Sequence, residues 1–112
     1  MKPIFMTKFD EAIKAEILEL EGFYSPDDLL IFLQEKFFSA SKWLIRTDKA
    51  KFVANSLIEW VLANSQHSQK IALVLTKELF SKEKLQNLNL EKPHSVRFFN
   101  NLLEARAWIF ND

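Results

Sequence analysis

The stretch Trp43–Trp60, WLIRTDKAKFVANSLIEW, decides how this chain is built. It opens on an apolar run, Trp43-Leu44-Ile45, continues through Arg46 and Thr47, and reads as a short strand ending at Asp48. Beyond Asp48 the pattern has two readings. Ala50, Val53, Ala54, Leu57, Ile58 and Val61 fit a helical template capped by Asp48. Alternatively, residues 49–53 are extended and Asn55 caps a helix from Ser56 to about Asn64. Either way the stretch is a strand succeeded by a helix, whose Trp60 looks back toward the sheet.

The same unit recurs toward the C-terminus. Lys70–Thr76, KIALVLT, is a continuous β-branched and leucine-rich run bounded by polar residues, the pattern of a strand buried on both faces in a parallel sheet. Lys82–Leu88 then reads as one or two helical turns, capped by Ser81 with Glu83 in the first turn. Leu90-Glu91-Lys92-Pro93 returns the chain to a last strand, Ser95–Phe99, and Leu102–Phe110 closes it as a helix bearing Leu103, Ala107 and Trp108. Strand then helix, repeated, implies right-handed crossovers and a mostly parallel sheet. Leu44, Ile45, Leu73 and Val74 are its expected buried centre.

Toward the N-terminus, Pro3–Phe9 and Ala12–Leu20 have partial period-two character and join across Asp10-Glu11, which predicts an antiparallel hairpin at the sheet edge. After Gly22, Ser25-Pro26-Asp27-Asp28 supplies an N-cap hydroxyl, a proline at the first helical position and two carboxylates where the helix dipole favours them. The helix predicted over Pro26–Phe38 carries Leu29, Leu30, Leu33 and Phe37 as its core stripe. Ile31 and Phe38, a heptad apart, lie on another side with Phe32 at its margin. That surplus apolar side, flanked by Gln34 and Glu35, resembles an interaction patch, and a homodimer or another protein partner is expected there.

Composition bounds the function. The 112 residues suit one α/β domain spanning 1–112. Fifteen basic and fifteen acidic side chains cancel, so the footprint of a nucleic-acid binder is absent. With no cysteine there is no disulfide or thiolate chemistry, and with one glycine no glycine-rich phosphate loop; no cofactor is expected. The opening residues lack a signal-peptide core, and the longest aliphatic run, Ile71–Leu75, is too short for a bilayer, so a cytoplasmic protein without membrane insertion is expected.

Several of these segments together carry a resemblance: Trp43-Leu44-Ile45-Arg46-Thr47-Asp48; Phe52 ahead of a helix with Glu59-Trp60; Ile71-Ala72-Leu73-Val74; and Ser95-Val96-Arg97-Phe98-Phe99 succeeded by Glu104-Ala105-Arg106-Ala107-Trp108-Ile109. The set, covering nearly the whole chain, looks like the SpoIIAA-like branch of the STAS domains, small α/β proteins whose parallel-rich sheet carries several helices. In those domains a loop after the third strand precedes a helix, and in the anti-sigma-factor antagonists its start reads Asp-Ser-Ser-Gly, with a regulatory phosphate on the first serine. Here Ala54-Asn55-Ser56-Leu57 takes that place. The resemblance therefore implies the later helix start. With asparagine at the phosphate position, it also implies a domain without the phosphorylation switch.

The sheet nominates the candidate site residues. The carboxyl ends of parallel strands are where open α/β sheets bind ligands, which points to Thr47, Asp48, Thr76 and Asn100, with Lys77 and Asn101 beside them, and Asn55 and Ser56 at the next helix start. His67 and His94 should share the opposite edge; with Glu91 they offer three metal-ligand side chains, but no close spacing, and they read as solvated loop residues. No nucleophile stands in a recognisable elbow, so an enzyme is not expected. The expected function is a non-catalytic STAS-type protein-interaction or regulatory module. The alternative is a small-molecule or lipid-binding carrier of CRAL-TRIO-like architecture.

Overall fold

The computed structural model describes residues 5–76, 80–90 and 93–111. Five strands, β1 (Thr7–Asp10), β2 (Ala15–Gly22), β3 (Lys42–Ala50), β4 (Lys70–Val74) and β5 (Val96–Phe99), form one sheet in the order β1-β2-β3-β4-β5. β1 and β2 are antiparallel and every later pair is parallel. The helices are α1 (Pro26–Lys36), α2 (Asn55–Asn64), α3 (Lys82–Leu90) and α4 (Leu102–Phe110).

The strand order explains where the helices lie. Successive crossovers that step the same way along a sheet with the same hand put their helices on one face. Leu29 and Leu33 of α1, Leu57 and Val61 of α2 and Leu85 of α3 accordingly share a core with Leu18, Trp43, Ile45, Ile71, Leu73, Val96 and Phe98. The alternate residues of the strands, Leu44, Ala72, Val74 and Phe99, point to the other face and meet Ala105 and Ile109 of α4. Leu44, Ile45, Leu73 and Val74 are all buried, as the strand periodicity predicts.

Several boundaries differ from the sequence expectation. The hairpin turn sits later than Asp10-Glu11, because the Asp10 carboxylate accepts the Ala12 N–H at 2.9 Å and Lys14 takes a left-handed φ of 54°. The first strand is Thr7–Asp10, ending one residue beyond the expected Phe9, and Pro3 lies outside the described residues. α1 stops at Lys36 and tightens into a 3-10 turn, Phe37–Ser39. Its Ser25 cap is present, accepting the Asp28 N–H at 3.3 Å, and Leu30 is half-buried where Leu29, Leu33 and Phe37 are buried.

β3 runs past Asp48 to Ala50, paired with β2, so the chain is extended where the early helix would have begun. α2 starts at Asn55, with Ala54 rather than Asn55 in the cap position and no side chain capping it. In its place the phenolic oxygen of Tyr24 accepts the Ala54 N–H at 3.1 Å. α3 extends to Leu90, and Glu91, from the expected return segment, lies outside the described residues. α4 has the expected limits, but Ala105 and Ile109 face the sheet while Leu103 and Ala107 are exposed. With seven of its nine residues apolar, the helix carries no single stripe from which to choose.

The outer edge at β5 is closed by a side chain. Asn89 of α3 accepts the Phe98 N–H and donates to the Phe98 carbonyl, both at 3.0 Å, as a neighbouring strand would. An unpaired edge is a template for unwanted strand addition, and this amide covers it.

Candidate functional site

At the carboxyl edge of the sheet, Asp48, Thr76 and Asn100 come together around an open recess of about 400 Å³, joined by Asn101, Leu102 and Leu103. Its position derives from the topology. A sheet whose strand order never reverses has no switch-point crevice between neighbouring crossovers. The chain changes face after β5, at Asn100-Asn101, and the recess lies beside that change.

The side chains there are largely committed. Asn100 donates to the Phe80 carbonyl at 3.0 Å, and Asn101 caps α4 by accepting the Glu104 N–H at 3.1 Å. Asp48 is held by both ends of the Arg46 guanidinium, Nε at 3.2 Å and Nη2 at 2.8 Å, while Nη1 reaches Glu19 at 3.3 Å. Thr76 is the exception: its hydroxyl oxygen is buried with no hydrogen-bond partner among the described residues. Such a group costs about 1–3 kcal/mol unless something satisfies it.

Three other nominated residues stand elsewhere. Thr47 points to the opposite face of β3, buried, its hydroxyl donating to the Val74 carbonyl at 2.8 Å. It does not line the recess that Asp48 lines. Asn55, exposed, and Ser56, half-buried, stand at the start of α2 and do not line the recess. Lys77 lies outside the described residues.

Of the expected interaction residues, Ile31 and Phe38 are 56% and 52% exposed, whereas Phe32 is half-buried and packs on Phe5 with ring centroids 5.8 Å apart. Phe38 leans on Trp60 of α2 at 6.4 Å, so the exposed apolar side reaches from α1 to α2.

A feature missed in the sequence is the clamp between the loops that leave β2 and β3. Phe52 stacks on Tyr24 with centroids 4.4 Å apart and rings 8° from parallel, and Phe23 also stacks on Phe52, at 6.3 Å. Burial raises the Tyr24 pKa, against the smaller opposing effect of the Ala54 N–H bond. The sign is that of a proton held more tightly in the folded state: stability is full below the ordinary value of about 10 and falls as pH rises through the folded value. Tyr24 is the one tyrosine of the chain, so its absorbance reads this directly. The tyrosinate band should appear above the ordinary pH of about 10 in folded protein and return to it in urea; equal titration in both states contradicts the clamp.

At the acid end, burial pushes the Asp48 carboxyl up, but the Arg46 bonds and charge outweigh it and hold it below the usual range. Glu19 is lowered first by its Lys49 bond. Depressed carboxylates stabilise above their unfolded pKa values, and this is lost as pH falls through the lower folded values. Partly exposed pairs of this kind are worth roughly 1 kcal/mol after solvent screening.

At the amino-terminal edge, His67 and His94 do share one recess, of about 430 Å³. No metal-competent cluster of three ligands occurs among the described residues, and Glu91 is outside them. No described helix is long and apolar enough to cross a membrane. No family model, curated protein or solved structure matches the chain.

Proposed function

We propose that the chain is a non-catalytic protein-interaction module of the STAS type, without a phosphorylation switch, that docks a second copy of itself through the outer side of α1. The observation that carries this reading is the exposure of Ile31 and of Phe38, the latter beside Trp60, while Leu29, Leu33 and Phe37 already anchor α1 to the sheet. Two large apolar side chains left in water, one on α1 and one on the 3-10 turn that ends it, favour covering them, and twofold pairing is the commonest way soluble proteins do so. The STAS reading draws on the parallel-rich sheet and on extended chain before α2, which keeps Asn55 and Ser56 at its start. Asparagine at the phosphate position offers no hydroxyl for a kinase.

Sedimentation velocity over a range of concentrations tests the docking side. The wild type should run as a dimer and the double Ile31→Glu, Phe38→Glu variant as a folded monomer; two folded monomers at high concentration would falsify self-docking.

A second reading, a carrier of small molecules or lipids with CRAL-TRIO-like architecture, draws on the carboxyl-edge recess that Asp48, Thr76 and Asn100 line. That recess is open and about 400 Å³, which suits a small polar molecule better than an acyl chain. Native mass spectrometry of freshly purified protein separates the two readings by showing either a retained small molecule or the bare chain.

A further inference from the structure

We propose that α3 is a hinged cover over the outer edge of β5, latched by the Asn89 side chain, and that it opens as a unit while the sheet beneath it stays folded. β5 ends the sheet, paired with β4 on one side only. On its other side the backbone N–H and C=O of Phe98 meet the Asn89 amide, each at 3.0 Å. One side chain thus makes the two bonds that a residue of a further strand would make.

Little else holds α3 in place. It is nine residues long, below the roughly 12–15 at which an isolated helix becomes marginally stable in water, so it depends on its packing. α1, α2 and α4 each bury two side chains, whereas α3 buries Leu85 alone, with Leu88 and Asn89 half-buried and its other six residues exposed. A recess of about 170 Å³ is lined by Leu85, Gln86 and Asn89 from α3 and by Arg97, Phe98 and Phe99 from β5, so the two elements are not closely packed along their length. β4 stands in contrast, with Ile71, Ala72, Leu73 and Val74 all buried between two strands and under cover on both faces. Opening free energies within one domain run from near zero to the global value, and elements with few buried apolar contacts lie at the low end.

The two ends of α3 are held differently, which makes the motion a swing. Just ahead of the helix, Phe80 packs against the larger core, its N–H donates to the Thr76 carbonyl at 2.9 Å, and its carbonyl accepts the Asn100 amide at 3.0 Å. At the far end the Asn89 pair is the tie to β5. Breaking that pair frees the back of the helix about an anchored front. It also uncovers the Phe98 N–H and C=O, the kind of groups through which a sheet edge takes an added strand.

Native-state hydrogen exchange of the full chain, read residue by residue by NMR, tests the cover. The Phe98, Leu88 and Asn89 amides should agree in protection within about threefold, and all three should be about a hundredfold less protected than the Leu73 amide at the centre of the sheet. Low urea should accelerate Leu73 and leave the other three nearly unchanged, since a local opening exposes little surface. Asn89→Ala should lower the protection of the Leu88 amide about tenfold, for the lost pair of bonds. Ile109→Val, on the opposite face of the sheet, should lower the protection of Leu73 about fivefold and leave Phe98 and α3 as they are, because the cover opens without α4. A Phe98 amide as protected as Leu73, with the same response to urea and to Ile109→Val, overturns the cover, as does a Phe98 amide that exchanges while α3 stays protected. Unchanged protection of α3 in Asn89→Ala overturns the latch.

Discussion

Replacing Trp43 by alanine should lower the free energy of unfolding by about 3–5 kcal/mol. The ring is 1% exposed, near the start of β3, and stacks on Phe37 with centroids 6.1 Å apart. Its indole N–H donates to the Phe37 carbonyl at 2.8 Å, the same oxygen that accepts the Gln69 amide at 3.0 Å. The side chain therefore fills the centre of the larger core and ties the end of α1 to the strand after it. Truncation leaves a cavity beside the Phe37 ring, and it removes a side-chain bond from a buried carbonyl. Urea unfolding monitored by far-ultraviolet circular dichroism measures the loss. A value below about 0.5 kcal/mol, the size of an ordinary surface substitution, would place Trp43 outside the core.

The second large effect belongs to Leu73. It is fully buried on β4, paired with Ile45 of β3 on one side and Phe98 of β5 on the other. Leu73→Ala should cost about 2–5 kcal/mol, because strands flank it on both sides and the helix layer covers its face. Chemical denaturation should show a lower midpoint with an unchanged slope. A change of slope instead would report an altered unfolded ensemble and not a cavity.

The fold was legible in the sequence wherever one period dominated. Lys70 to Thr76 holds a continuous apolar run that reads as a doubly covered strand, and β4 is covered on both faces although it stops at Val74. The Ser25-Pro26 start of α1 was legible for a local reason, a cap and a fixed φ that act within a few residues. Strand order was not, because it depends on which crossover packs beside which. Nor was the sheet-facing side of α4, where Leu103, Ala107 and Phe110 are as apolar as the residues that ended up inside.

The candidate site was legible only as an edge. Asp48, Thr76 and Asn100 reached the same recess because each lies just beyond the last paired residue of neighbouring parallel strands, Arg46, Val74 and Phe99. Thr47 failed by one position in a period of two, and the neutralising role of Arg46 toward Asp48 depends on rotamers that spacing does not encode. The basic residues at the other edge were visible singly as strand-flanking polar residues. Their convergence with Trp108 required α4 to cross to the second face.

Self-docking through α1 is most directly tested by isotope-filtered NMR on a one-to-one mixture of labelled and unlabelled chains. Intermolecular contacts should appear between the Ile31 δ-methyl group and the Phe38 or Trp60 ring of the other copy, and should vanish in the Ile31→Glu, Phe38→Glu variant. Intermolecular contacts arising only elsewhere, or none in a chain that tumbles as a monomer at millimolar concentration, would contradict the proposal.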